Sequence, residues 1–205
     1  LIIPFVYNLA FYRVLRERFL LWHAVATVCL LVQTLTSSGL LGHFIPLSVT
    51  AISIIVALSW SAAISAAGMF IVNLVEPGKL DPWHGRVAQG LAAWTLGCGL
   101  FYLAADGPLR DWAAPVYFAG FVPVIVFFAV IMFVAARRGS RAILFQIAAL
   151  SPMMIVGTLR TLTFDDGIDL RMLQYLAIAL EVVITSLGVA DRFLAIKRQR
   201  DAAMA

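Results

Sequence analysis

"VYFAGFVPVIVFFAVIMFV", residues 116–134, carries almost no polar atom and is rich in phenylalanine. It approaches the ~20 consecutive apolar residues that a membrane-spanning helix requires. A helix apolar on every side belongs in a protein core or in lipid, and this one, the fifth of the chain, is expected to face lipid. The rest of the sequence fits that setting. Of 205 residues, 62% are hydrophobic and 13% are charged, and the mean hydropathy is +0.96. Soluble domains carry about 25% charged residues.

Seven apolar runs cover most of the chain: 1–12, 19–41, 49–75, 87–105, 116–136, 142–159 and 172–190. The breaks between them hold turn formers such as Pro46, Pro77-Gly78, Asp81-Pro82, Gly107-Pro108, Gly139 and Asp165-Asp166-Gly167, residues that interrupt helices for backbone reasons. The pattern predicts an all-α polytopic membrane protein, a seven-transmembrane helix bundle. The first run starts at Leu1 and holds twelve residues. That is about 18 Å of helix, too short to span, so the first helix is expected to be truncated at its N-terminus. Residues 1–190 read as the transmembrane domain, and residues 191–205 as the start of a cytoplasmic helix. Cys29 and Cys98 fall inside apolar runs and read as small core residues.

The charges set an orientation. Twelve of the fifteen Lys and Arg residues lie in the turns at 13–18, 79–86 and 137–141 or beyond Asp191, against Arg110, Arg160 and Arg171 in the alternate breaks. Basic residues accumulate on the cytoplasmic side of short loops. The carboxyl terminus is therefore expected inside and the amino end outside, in a plasma membrane. This distribution accounts for the pI of about 9.4 without a nucleic-acid partner. No break is long enough to fold as a domain, so any soluble module must attach at an end of the chain.

Several chemistries fall away. A retinal Schiff base needs a lysine in the last span, and Lys79 and Lys197 are the only lysines. Haem or metal in a bundle needs His or carboxylate pairs on facing helices, whereas His23 lies at a helix start and His43 and His84 lie in breaks. No metal or cofactor is expected. Asp165, Asp166 and Asp169 lack the spacing of a calcium loop, and Asp169 reads as the cap of the last helix. Ser59, Ser61 and Ser151 have no His or Lys at their depth, so no catalytic constellation is found. Ser151-Pro152 reads as a helix kink whose freed carbonyl a hydroxyl can satisfy.

Two features remain. "SWSAAISAAG", residues 59–68, sets Ser61/Ser65 and Ala63/Ala67 four apart. Small residues at that spacing let helix backbones approach closely, which predicts a central third helix. Glu181 lies about 15 Å from Asp191 along the last helix, near the bilayer centre, where a charge costs roughly 2.5–3.5 kcal/mol. With Gln174, Ile178, Thr185 and Gly188 it forms one stripe, which is expected to pack inward. Glu181 is either a functional group or a polar tie between helices. Trp22, Trp83 and Trp112 fall near run ends, as an interfacial belt requires.

"YNLAFYRVLRERFLLWHA" near the start and "LEVVITSLGVADRFLAIKRQRD" at the end resemble the bacterial seven-transmembrane receptors with diverse intracellular signalling modules. The matching features are Tyr7-Asn8 before an Arg-rich turn, Glu181 in the last span, and Ala190-Asp191-Arg192 leading into a charged helix. The resemblance implies a bacterial sensor of the inner membrane. It relays a periplasmic or membrane signal from an extracytoplasmic sensory domain to a cytoplasmic histidine kinase, diguanylate cyclase or similar module. Two-component or cyclic-di-GMP signalling of this kind implies a homodimer, for which Leu187, Ala190, Leu194 and Lys197 offer a weak heptad seam. Glu181, Asp191 and Arg192 are then the candidate signal-transmission residues. The alternative is a small transporter or channel, which needs polar residues converging at one depth. Asn8, Gln33, Asn73, Gln89 and Gln146 are instead scattered towards the ends of their runs.

Overall fold

The structure is a computed structural model and describes residues 1–162 and 171–204. Among these residues every element is helical. In chain order they are α1 (Ile2–Leu15), α2 (Arg18–Ser37), α3 (Leu40–Phe44), α4 (Val49–Leu74) and α5 (Pro82–Ala104). After a 3-10 turn at Gly107–Leu109 come α6 (Arg110–Ala119), α7 (Val122–Arg137), α8 (Arg141–Leu162) and α9 (Arg171–Met204). Five stretches are long and apolar enough to cross a membrane: Arg18–Ser37, Val49–Leu74, Pro82–Ala104, Gly107–Arg137 and Met172–Arg198. Ile2–Leu15 and Arg141–Val156 are apolar but shorter. The fold is an all-α membrane-type bundle.

Two runs are divided where the backbone demands it. The second run ends early because Gly39 takes φ 77° and starts the short α3. The fifth run breaks between α6 and α7 at Gly120–Phe121. Pro123 has no N–H to give to the preceding turn, so the helix restarts there. The expectation of a wholly lipid-facing fifth helix needs correcting. Val122, Ile125, Val126, Val130 and Phe133 are exposed, but Val124, Ile131 and Ala135 are buried. An evenly apolar sequence has no polar stripe to reveal which side packs.

The third run forms the centre. α4 packs along both α2 and α5. Ser61 is fully buried, and Ser65 donates to the carbonyls of Ser61 at 2.8 Å and Ala92 at 3.0 Å. These two serines face α5, while Ala63 and Ala67 face away from it into a cavity. The α4–α5 approach is close enough that a Cβ added to Gly99 would lie 2.5 Å from the Ser61 hydroxyl oxygen.

α8 and α9 pair along their length. Within α8, the Ser151 hydroxyl donates to the carbonyls of Ile147 and Ala148, both at 2.9 Å. Ala148 is the residue whose helical donor Pro152 removes. α9 continues from Arg171 to Met204 without a break. Of the inward stripe expected on α9, Ile178, Thr185 and Gly188 are buried and Gln174 and Glu181 partly so. Cys98 is buried, but Cys29 is only half-buried. Asp165, Asp166 and Asp169, the expected loop acids and cap, lie outside the described residues.

Gly99→Ala is expected to lower bundle stability by about 1–3 kcal/mol through overpacking. Gly97→Ala, two residues along the same helix, meets nothing within 4 Å and should be neutral or stabilising, since Ala is the better helix former. Thermal unfolding of the two variants in one detergent checks the pair.

Candidate functional site

The site is assembled from two tight turns. Glu76-Pro77-Gly78-Lys79 closes with Lys79 N–H to the Glu76 carbonyl at 3.1 Å, and Gly78 takes φ 81°. Proline second and glycine third, at positive φ, is the type II pattern. The second turn ends α7. Gly139 takes φ 75°, Ser140 N–H bonds the Ala135 carbonyl at 2.9 Å, and Gly139 N–H bonds that of Ala136 at 2.9 Å. That pair of bonds is a Schellman motif. It delivers Ser140 directly to the start of α8, where the Ser140 hydroxyl oxygen accepts Ile143 N–H at 3.4 Å.

Glu76 joins the two turns. One carboxylate oxygen accepts the Ser140 hydroxyl, and the other accepts Ala142 N–H at 3.2 Å. The first N–H groups of a helix have no intrahelical partner and carry the positive end of its dipole. Here a carboxylate more than sixty residues away in sequence satisfies one of them. Burial opposes ionisation of Glu76, but bonds from Ser140, its own backbone N–H and Ala142, with the nearby charge of Arg192, outweigh it and hold the carboxyl below its ordinary value.

Around this cap the same turns lock a second time. The Lys79 ammonium donates to the Arg138 carbonyl, and the Arg138 guanidinium returns a bond to the Lys79 carbonyl at 3.1 Å. Arg138 also pairs with Asp81 at 3.3 Å, but both side chains are about half exposed, so that ion pair contributes little. α9 enters through Asp191, which pairs with Arg141 at 3.2 Å, but the Arg141 side chain is 74% exposed, so this pair too contributes little. Arg192 lines the same recess as Glu76, and its Nε is buried without a hydrogen-bond partner among the described residues. Phe193 stacks on Phe11 of α1 at 4.3 Å. Asp191 and Arg192 thus sit on the end of the bundle where the basic turns gather.

Glu181 lies deeper. It borders a cavity of about 280 Å³ between α2, α4, α7, α8 and α9, and it makes no hydrogen bond or ion pair with any described residue. Ala63 and Ala67 line the far side, and His23, Thr27, Gln146 and Thr185 share the wall. Thr185 donates to Gln146 at 3.4 Å. His23 is stacked on Phe70 at 4.8 Å and joined through Nδ1 to the buried Asn8 amide at 2.7 Å. Of the small-residue face, only the two alanines line the cavity that Glu181 borders. Ser61 and Ser65 do not.

A family model described as 7TM diverse intracellular signalling matches residues 1–192. The chain belongs to this family. No curated protein and no solved structure matches it. A 7TM diverse intracellular signalling domain is a receptor-type membrane domain concerned with signalling, and both assemblies above lie within the matched residues.

Two groups important to these assemblies were not picked out from sequence. Glu76 read as part of a polar break, and nothing local to it indicates that α8 needs a cap. His23, at a helix start, joins Gln146 and Glu181 only through packing of helices distant in sequence.

Because the folded Glu76 carboxyl is held below its ordinary value of 4.5, its ionised cap stabilises the fold above that pH. The contribution is lost as pH falls through the folded value. Wild type should therefore be more stable than Glu76→Gln at pH 7, and the gap should close on acidification. Thermal melts in detergent between pH 7 and the acid range measure it.

Proposed function

We propose that this bundle is the membrane core of a bacterial receptor. Its last helix relays a conformational change to a C-terminal cytoplasmic output module such as a histidine kinase or diguanylate cyclase. The observation that carries the reading is the unbroken course of α9 past Asp191 and Arg192, where the polar clamp of Glu76, Ser140 and Arg141 meets it. A helix without Gly or Pro in this stretch transmits rotation or translation to whatever it joins. The Arg192 Nε, without a partner among the described residues, beside a Glu76 carboxylate held by other partners supplies two alternatives for one acid. A small shift of α9 would exchange one set of partners for the other, and a two-state element of this kind is what a signal must bias.

This reading places the seven apolar segments across the inner membrane with the basic end in the cytoplasm and the first helix entering from outside. An extracytoplasmic sensory region would supply one input. Leu187 and Leu194 lie exposed on α9, on the stripe expected to pair with a second copy. Phe193 packs inward on Phe11. Cysteines at Leu187 or Leu194 should cross-link between protomers in membranes more readily than one at Phe193. Equal yields at all three would remove the seam.

The relay is tested in the full-length receptor by measuring output with and without stimulus. Glu76→Gln and Arg192→Ala should insert normally yet fix output near one extreme, whereas Arg138→Ala, at the exposed ion pair, should respond as wild type. Normal responses from all three would overturn the relay through this clamp.

The convergence of His23, Gln146 and Glu181 on one cavity also meets one requirement of a transporter. Against it, α2, α4 and α9 run unbroken past the cavity, whereas transporter sites use interrupted helices. Solute flux in liposomes separates the two, and the receptor reading requires none.

A further inference from the structure

We infer that the cavity bordered by Glu181 is a binding site for a small lipophilic molecule carrying one hydrogen-bond-donating head, a hydroxyl or an amine. The wall is graded along the bundle. His23, Gln146 and Thr185 lie five, five and six residues from Arg18, Arg141 and Asp191, which mark the basic end. Leu30, Leu150 and Met153 lie farther along the same or adjacent helices and line the apolar part with Trp60. A ligand that fits must therefore be amphiphilic, with its head towards the basic end.

The donor set fixes the head. No Lys or Arg lines the cavity among the described residues, so an anionic head would find no counter-charge. The wall offers acceptors in the Glu181 carboxyl, the Gln146 carbonyl oxygen and the hydroxyl oxygens of Thr27 and Thr185. It offers donors in the Gln146 amide and in His23, whose Nδ1 faces the Asn8 amide nitrogen, so a head that both donates and accepts, a hydroxyl or a neutral amine, suits it. The Glu181 carboxyl is unengaged by the described residues, and a polar group without a partner in an apolar setting is costly to leave unmet. A donor head offers the bond that the bundle itself does not. Size is set by volume. A 150 Å³ apolar cavity admits benzene, so about 280 Å³ takes a body roughly twice as large.

This inference deepens the relay reading, because Glu181 shares α9 with Asp191 and Arg192. Binding itself needs no output module to be measured.

The test uses the chain in lipid nanodiscs and an aliphatic alcohol carrying a photoreactive diazirine, with labelled residues mapped by mass spectrometry. Saturable labelling of residues on α2, α4, α8 or α9 is expected. The unlabelled alcohol and the matching alkylamine should compete at least tenfold better than the matching alkane. Ala67→Phe fills the cavity without touching a polar group and should abolish the saturable component. Glu181→Leu should reduce alcohol affinity at least tenfold. Non-saturable labelling spread over lipid-facing side chains, or equal competition by the alkane, would overturn the site. Should Ala67→Phe fail to fold, the competition series in wild type still decides. In the full-length receptor, a bound alcohol that leaves output unchanged would overturn its part as an input while leaving the relay reading intact.

Discussion

The N-terminus of α8 needs an acceptor, and the acceptor comes from another turn. Ser140 satisfies one early N–H of α8, and Glu76 satisfies another while also holding the Ser140 hydroxyl. A helix end buried against apolar neighbours cannot leave those groups unmet. The α4–α5 connection is thereby fixed to the α7–α8 connection, and α9 is laid across both through Arg141 and Arg192. The apolar cluster beneath, with Leu20, Ile71, Leu74, Ile131, Ile143 and Val189 fully buried or nearly so, packs around that frame. In lipid, apolar burial alone gives helices little reason to associate, so close packing and polar contacts of this kind define which helices meet.

The two faces of α4 show contrasting packing. Towards α5 the helix is tight, with the Ser65 hydroxyl on the Ala92 carbonyl and a glycine, Gly99, where any side chain would collide. Towards α8 and α9 it is open, with alanines facing a cavity. The bundle therefore joins a rigid layer of α2, α4 and α5 to a pair, α8 and α9, held most firmly at the basic end. Motion of the pair against the layer must shift the clamp and the apolar contacts of Ile143 and Val189 in the cluster they share with Leu20, Ile71 and Leu74.

The helical class and the membrane setting were legible because they rest on long apolar runs and on where Lys and Arg fall. The family resemblance was legible because Tyr7-Asn8, Glu181 and Ala190-Asp191-Arg192 stand at the two ends. Pro152 with Ser151 was legible too, since donor and orphaned carbonyl lie on one turn. The small-residue face was recognised, but its division between α5 and the cavity was not, because spacing gives a stripe and not its neighbour. Asn8 and Gln146 looked scattered along the sequence, yet each finds a polar partner on another helix. Glu76 was hidden for a similar reason: a cap supplied from a distant turn leaves no local pattern. The break at Gly120–Phe121 could have been read from Pro123, whose missing N–H ends the preceding turn.

The length of α9 has a mechanical consequence. From Glu181 to Met204 the helix extends roughly 35 Å at its regular rise, and the Asp191–Arg141 contact lies between those points. A stiff rod pivoting at this level, where Phe193 two residues on is stacked against Phe11, works as a lever. A tilt of about 5° displaces a point 20 Å beyond the fulcrum by about 2 Å, on the geometry of a straight helix. The same tilt moves Glu181, about 15 Å on the other side, by about 1.3 Å in the opposite direction, so the far end of α9 travels about a third farther than the site.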